Sequence, residues 1–255
     1  MSLENANKLN QLLQGGQDGK LYFSSWLREN GYSNQLIKTY RNSGWLTMLY
    51  RGVMYRTGSK LSAWGALSSY NEQLNKTFHI AAHSALELSG YNHYVPMGKP
   101  ILMVHHNAND RIPIWMNTVS FDYEIKLFST QIFSIRHIYT HIKNDFPLLV
   151  SSAEQAFLEC LLLAPQYYSL MDLYYIMEQL TTLRSDILQS LLENCTNNKV
   201  KRLFLFMAEK ANHYWYEELN SSKIDIGKGK YQIVKDGVYL SKYKITISKE
   251  LYDYE

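Results

Sequence analysis

The sequence predicts an α+β protein built in two parts, and three observations predict it. Helical and strand-like segments occur in blocks, without the strict alternation that a parallel βαβ sheet demands. A length of 255 residues, 46% of them hydrophobic, exceeds a typical single domain and supplies side chains for two cores. Charge is unevenly spread: residues 1–60 hold eight Lys/Arg against three Asp/Glu, whereas the whole chain holds 26 against 23. Between Glu29 and Glu72 there is no acidic residue, yet Lys38, Arg41, Arg51, Arg56 and Lys60 fall there. Such a zone is the electrostatic footprint of a protein that grips a phosphate backbone.

In the first part, Ala6, Leu9, Leu12 and Leu13 share one helical face, and Gly15, Gly16 and Gly19 then break the chain. A second short helix over residues 23–30 offers Phe23, Trp26 and Leu27 to a core, and Gly31 closes it. Ser33 caps a third helix, residues 34–43. Leu36 and Tyr40 turn inward at an i, i+4 spacing, which leaves Asn34, Gln35, Lys38, Arg41 and Asn42 on the opposite side. Gly44 ends that helix, and residues 45–49 and 53–56 read as two strands joined around Tyr50-Arg51-Gly52. This is the order of a winged helix-turn-helix, in which one helix enters the major groove and the wing reaches neighbouring phosphates. The domain is assigned to residues 1–60, with Ser33, Asn34, Gln35, Lys38, Thr39, Arg41, Asn42, Arg51 and Arg56 as its candidate DNA-contacting set. The plainer reading of the same pattern is a three-helix core with a solvated basic face.

Residues 61–255 form the second, larger domain. Trp64, Leu67, Tyr70 and Leu74 recur at helical spacing over residues 61–74, and Ser84-Ala-Leu-Glu87 is a capping box opening a short helix that ends near Gly90. Residues 101–105 and 119–133 carry the β-branched and aromatic side chains of strands. Further helices are expected from the cap at 151–154 to Ala164, where Pro165 stops the first, then over 170–182, 186–194 and 200–219. The tail returns to strands at 223–226, 231–234, 238–240 and 243–247, with Asp236-Gly237 as a hairpin turn signal.

Cys160 and Cys195 are too few for a disulfide framework and read as free thiols of a reducing compartment. The polar start Met1-Ser-Leu-Glu-Asn lacks a secretory apolar region, and no apolar run approaches the ~18 residues of a membrane span. A cytoplasmic protein without membrane contact is expected. The 21 tyrosines accompany abundant Lys, Asn and Ile, as an AT-rich genome produces, and carry no functional meaning by number alone.

Motifs that carry chemistry are absent or incomplete. His79 and His83 stand at i, i+4, but the intervening Ile-Ala-Ala lacks the Glu of a zincin motif, and the capping box starts the helix only at Ser84. His137 and His141 repeat the spacing with no nearby carboxylate, and the side chains of His105-His106 point to opposite faces of a strand. All read as structural histidines, so no metal site is expected. Gly227-Lys-Gly-Lys230 has neither the spacing nor the Ser/Thr of a phosphate loop and reads as a basic turn. No nucleophile motif, paired-carboxylate motif or dinucleotide fingerprint stands out, so neither catalytic residues nor a cofactor are expected.

Two segments carry a family pattern. One runs from Trp26-Leu-Arg-Glu-Asn-Gly-Tyr-Ser33 through Gln35-Leu36, Tyr40, Ser43-Gly-Trp-Leu46, Gly52-Val53 and Trp64-Gly-Ala-Leu67. The other runs from Lys199-Val-Lys-Arg-Leu-Phe-Leu205 through Ala208-Glu209, Trp215, Ile224-Asp-Ile-Gly227 and Gly229-Lys230 to Lys242-Tyr-Lys-Ile-Thr246. Ser84-Ala-Leu-Glu-Leu88 with Gly90, His93 and Tyr94 lies between them. In this order, over nearly the full chain, the pattern resembles the AbiEi-type antitoxins of type IV toxin–antitoxin (abortive infection) systems. Tyr231 departs from it where an Arg is expected, as does Ile247-Ser248 where Val-Pro is common.

The resemblance implies a non-enzymatic antitoxin and autorepressor without cofactor. Its winged helix would bind double-stranded operator DNA upstream of its own operon. Its C-terminal domain would counteract an AbiEii-type nucleotidyltransferase toxin without a stable complex. Lys199, Lys201, Arg202, Lys228 and Lys230 are the candidate C-terminal interaction surface. The rival reading is a one-component regulator with a helix-turn-helix fused to a small-ligand-sensing or catalytic domain. A third makes the basic surface a docking site for an acidic protein. No leucine heptad dictates a dimer, and the operator sequence is not encoded in any motif.

Overall fold

The computed structural model describes residues 8–12, 17–91 and 98–254. Ala6, Leu13, Gly15, Gly16, His93 and Tyr94, singled out above, lie outside the described residues. The chain is α+β and divides into two compact units. The first comprises the described residues of 1–79, 96–128 and 140–149, and the second those of 80–95, 129–139 and 150–255.

The first unit begins with the winged helix-turn-helix. Residues 8–12 are helical. They are followed by β1 (Leu21–Phe23), α1 (Ser24–Glu29), α2 (Asn34–Asn42), β2 (Leu46–Tyr50) and β3 (Val53–Arg56). The strands form an antiparallel sheet of order β1-β3-β2, with Leu21 opposite Tyr55 and Leu46 opposite Arg56. Leu9, Leu12, Tyr22, Leu27, Tyr32, Leu36, Ile37, Tyr40, Leu46 and Met54 close into one apolar cluster, with Trp26 packed against it. Strand β1 is not anticipated by the sequence: Phe23, expected in a helix, ends the strand and precedes the first turn of α1.

Helix α3 (Ala63–Leu74) belongs to the same compact unit and completes the open edge of β1 with side chains. Ser69 Oγ accepts from Leu21 N–H at 3.0 Å, Gln73 Oε1 accepts from Phe23 N–H at 3.0 Å, and Gln73 Nε2 donates to Leu21 C=O at 2.7 Å. Those groups would otherwise offer a pairing edge. Gly65 allows the approach: a Cβ there would stand 2.4 Å from the Gly19 carbonyl oxygen. Strand β4 (His79–Ile80) follows, and β5 (Ile101–His105) pairs in parallel with β6 (Glu124–Phe128). The strand expected over 119–133 is thus only five residues long, and helix α5 (Ile114–Thr118), which the sequence reading did not anticipate, precedes it; α4 (Ala82–Leu88) lies in the second unit. Strands β7 (Ile138–Lys143) and β8 (Phe146–Ser151) turn through Asn144 and Asp145, at φ 50° and 64°. Two successive left-handed residues are the mark of a type I′ hairpin.

The second unit is built on helices α6 (Ala153–Leu163), α7 (Leu170–Gln179), α8 (Ser185–Glu193) and α9 (Asn198–Ala211). Ser152 Oγ caps α6 by accepting from Gln155 N–H, and Ser169 caps α7 in the same way. The helix expected over 200–219 is broken: Asn212 takes φ 52°, and a separate short helix α10 (Tyr214–Glu217) begins beyond it. A left-handed residue cannot continue the right-handed turn. The last sheet has order β10-β11-β9, from β9 (Tyr231–Gln232), β10 (Val238–Leu240) and β11 (Ile245–Ile247), and a terminal helix α11 (Lys249–Asp253) follows. Asp236 does turn the chain at φ 55°, but β9 and β10 each pair with β11 and not with one another. Residues 223–226 form no strand; Ser221–Lys223 is a 3-10 turn.

Candidate nucleic-acid interface

Helix α2 is held by its neighbours on both ends. Ser33 Oγ accepts from Leu36 N–H at 3.1 Å, satisfying one of the free donors of the first turn. Gly31 reaches φ 82°, which lets the chain reverse between α1 and α2, and its carbonyl accepts from Lys8 Nζ at 2.9 Å. Tyr32 adds a hydroxyl bond to Lys8 C=O, and its ring meets Tyr40 edge-on at 6.5 Å. Below the sheet, Tyr22 donates to Leu12 C=O at 3.0 Å. Burial pushes its phenol up to about 12, against a smaller lowering by Arg56. Leu36, Ile37 and Tyr40 are therefore fixed inward, and the rest of the helix surface is left to solvent.

That surface is where the expected DNA-contacting residues fall. Asn34, Gln35, Lys38, Arg41 and Asn42 are all exposed, as are Ser33 at the cap and Arg51 and Arg56 on the wing. Asn34, Lys38 and Arg41 follow one another at i, i+4, i+7, so they form a continuous ridge. Thr39 is set back: it is only half-buried and its Oγ1 donates to Gln35 C=O at 3.0 Å. Lys38, Arg41, Arg51 and Arg56 form no ion pair among the described residues. Their charge is thus presented outward. The first turn of α2 holds no acidic residue, which keeps its positive end open to anions.

The structure adds residues that the sequence reading passed over. Trp45, Met48 and Tyr50 project from β2 and its approach, with Trp45 45% exposed. The register of β2 against β3 shifts between Met48 and Tyr50. Large apolar side chains on a half-buried strand are ordinarily turned inward, so the sequence alone does not reveal that these face out.

The expected C-terminal surface is corrected. Lys201 is 5% exposed and Arg202 2% exposed, so neither presents charge to a partner. Arg202 Nε donates to Ile226 C=O at 2.8 Å and Nη1 to Lys244 C=O at 2.9 Å. Lys199 Nζ donates to the Leu162 and Ala164 carbonyls at 2.8 and 2.6 Å, satisfying the end of α6, and burial lowers its pKa. These side chains bind backbone because helix ends and turns leave carbonyls unpaired inside the unit. Lys228 and Lys230 alone of the five are exposed.

Several other titratable groups are packed against neighbours within their own unit. The rings of His79 and His105 stack at 4.6 Å, His106 stacks on Phe78, and His213 Nε2 meets Met177 C=O at 2.6 Å. His83 Nδ1 lies 2.7 Å from Tyr168 Oη. Glu154, buried at the start of α6, accepts two bonds from the Arg184 guanidinium at 2.9 and 3.0 Å. Burial alone would raise its carboxyl, but the Arg184 and Ser152 hydrogen bonds outweigh it and hold the group at about 2. Both cysteines are free and buried. Among the described residues no group of three or more His, Cys, Asp or Glu is placed to hold a metal ion, and no helix is long and apolar enough to cross a membrane.

Two family models match the chain. Residues 5–97 match the N-terminal domain of the AbiEi antitoxin transcriptional regulators, and residues 99–248 match the transcriptional regulator, AbiEi antitoxin, of type IV toxin–antitoxin systems. No curated protein matches. Among solved structures, the chain is similar to the RV2827C protein from Mycobacterium tuberculosis at 12% identity and a TM-score of 0.63, over 96% of this chain and 91% of that one. At that identity the likeness shows the fold alone.

Proposed function

The chain belongs to the AbiEi antitoxin family of transcriptional regulators of type IV toxin–antitoxin systems, and from that premise we propose that it represses its own operon by binding operator DNA through the winged helix. The observation that carries the reading is the ridge of α2: polar and basic side chains, outward and unpaired, above a core that fixes the helix. Asn34, Gln35 and Lys38 address base edges. Arg41, Arg51 and Arg56 hold phosphates, and Ser33, Thr39 and Asn42 flank them. A well-placed Asn, Gln or Lys contributes roughly 1–3 kcal/mol of discrimination per base pair, while phosphate contacts add affinity without sequence choice. The C-terminal unit counteracts a nucleotidyltransferase-like toxin without forming a stable complex, and Lys228 and Lys230 belong to its partner-facing surface. The protein acts in the cytoplasm, without catalysis or cofactor.

The test is fluorescence anisotropy on duplex DNA from upstream of the gene, against a scrambled duplex, across a salt series. With about four phosphates neutralised, log K should fall against log salt with a slope of about −3.6. Lys38→Ala should narrow the gap between operator and scrambled duplex, and Arg56→Ala should weaken both alike. Identical losses from the two variants on every duplex would overturn this division of roles.

A further inference from the structure

The charge of the C-terminal segment is as one-sided as that of the winged helix. Between Lys223 and Lys249 there are seven lysines against two aspartates, Asp225 and Asp236. Lys242 is taken up by Glu209, and Lys244 Nζ donates to Gly227 C=O at 3.1 Å. Lys228, Lys230 and Lys235 are exposed and form no ion pair among the described residues.

The sheet beside them has two unlike faces. Ile245 and Ile247 of β11 are fully buried. On the other face the registers Tyr239↔Thr246 and Thr246↔Gln232 set Tyr239, Thr246 and Gln232 in one row across all three strands. Tyr239 is 41% exposed, and Lys230 Nζ stands 5.1 Å from its ring centroid. Tyr231, opposite Ile245, points to the other side of the sheet and takes no part in this row. A flat ring, two neutral hydrogen-bonding side chains and the Lys230 ammonium therefore share one surface, with the exposed Lys228 and Lys235 close by in sequence at either end of β9.

The loop beside this surface is tied down by hydrogen bonds. Arg202 bridges the carbonyls of Ile226 and Lys244, tying the loop that bears Lys228 and Lys230 to the turn just before the strand that bears Thr246. Asp225 Oδ1 accepts from Gly227 N–H at 2.8 Å, closing the same loop. A preorganised surface loses little conformational freedom on binding.

We propose that the outer face of the C-terminal sheet binds single-stranded RNA. An exposed ring stacks an unpaired base, as sheet-borne aromatics do in RNA-binding modules, and the lysines follow the phosphates. Gln232 and Thr246 stand where a ribose 2′-hydroxyl, both donor and acceptor, gives RNA an advantage over DNA. The proposal rests on the reading of this unit as partner-facing; it does not involve the winged helix.

The experiment is anisotropy of a labelled oligouridylate of about twelve residues with the full-length protein, beside oligodeoxythymidylate of equal length. Three lysines on phosphates give a salt slope of about −2, and the Lys228→Ala/Lys230→Ala pair should flatten it to about −0.7. Tyr239→Ala should weaken RNA about tenfold, Tyr239→Phe should retain most of the affinity, and both should leave operator-duplex binding unchanged. RNA binding that survives Tyr239→Ala but is lost in Arg51→Ala, or that is absent while the duplex still binds, overturns the proposal and leaves the operator reading standing. Equal affinity for the two oligonucleotides overturns the assignment to RNA.

Discussion

Arg56 and Arg202 carry the same guanidinium to opposite ends. On the winged helix, Arg41, Arg51 and Arg56 stand in solvent without an acidic partner, as do Lys228 and Lys230 on the C-terminal loop. Arg202, in a run of sequence just as basic, is almost completely buried and spends its donors on two backbone carbonyls. The difference teaches that a basic stretch is a surface only where the fold leaves no unpaired carbonyls within reach. Around α2 the backbone is satisfied by its own helix and caps, so the charge is free for a ligand. Around α9 the irregular turns at Ile226 and Lys244 draw it inward.

That contrast is broken most forcefully at Arg202. Arg202→Ala should destabilise the protein by about 3 kcal/mol, because two partly buried carbonyls lose charged donors and the buried arginine stem leaves a gap. Urea unfolding followed by circular dichroism reads this, and a loss below about 1 kcal/mol would return Arg202 to the surface class. Glu154→Gln should cost about 1–2 kcal/mol at neutral pH, a figure reduced because Arg184 is largely exposed and screened. The fold lowers the carboxyl from 4.5, its value in the unfolded chain, to about 2, so its contribution is present above 4.5 and lost as pH falls towards 2. Stability measured against pH should show wild type and variant converging across that window. Ser33→Ala removes the cap of α2 and should cost about 1 kcal/mol, with a matching loss of operator affinity from fraying of the first turn. Arg56→Ala should leave the melting profile within about 0.5 kcal/mol of wild type while weakening all duplexes. A large stability loss there would place Arg56 in the same role as Arg202.

Much of the first unit's site was legible in the sequence. Leu36 and Tyr40 at i, i+4 fixed which face of α2 is buried, and Gly31, Ser33 and Gly44 marked its ends, because those signals are local. Strand β1 was not legible: three residues, paired through β3 and through side chains of α3, leave no period to read. The hairpin of β7 and β8 escaped for a related reason, since its left-handed turn is Asn144-Asp145 and carries no glycine. The break at Asn212 likewise needs a φ that the amphipathic pattern around it does not encode. Burial of Lys201 and Arg202 lies furthest from the sequence, because it depends on carbonyls placed by segments 24 and 42 residues away from Arg202.

The bonding of Ser69 and Gln73 to β1 bears on how such a protein can be exchanged as a module. A DNA reader that ended with its wing could be cut out and grafted by recombination at residue 60. Here the inherited piece has to extend through α3, because the backbone of Leu21 and Phe23 completes its bonding only with that helix. An exchange that kept these bonds would have to fall beyond Leu74, and the exposed ridge of α2 would then travel together with α3.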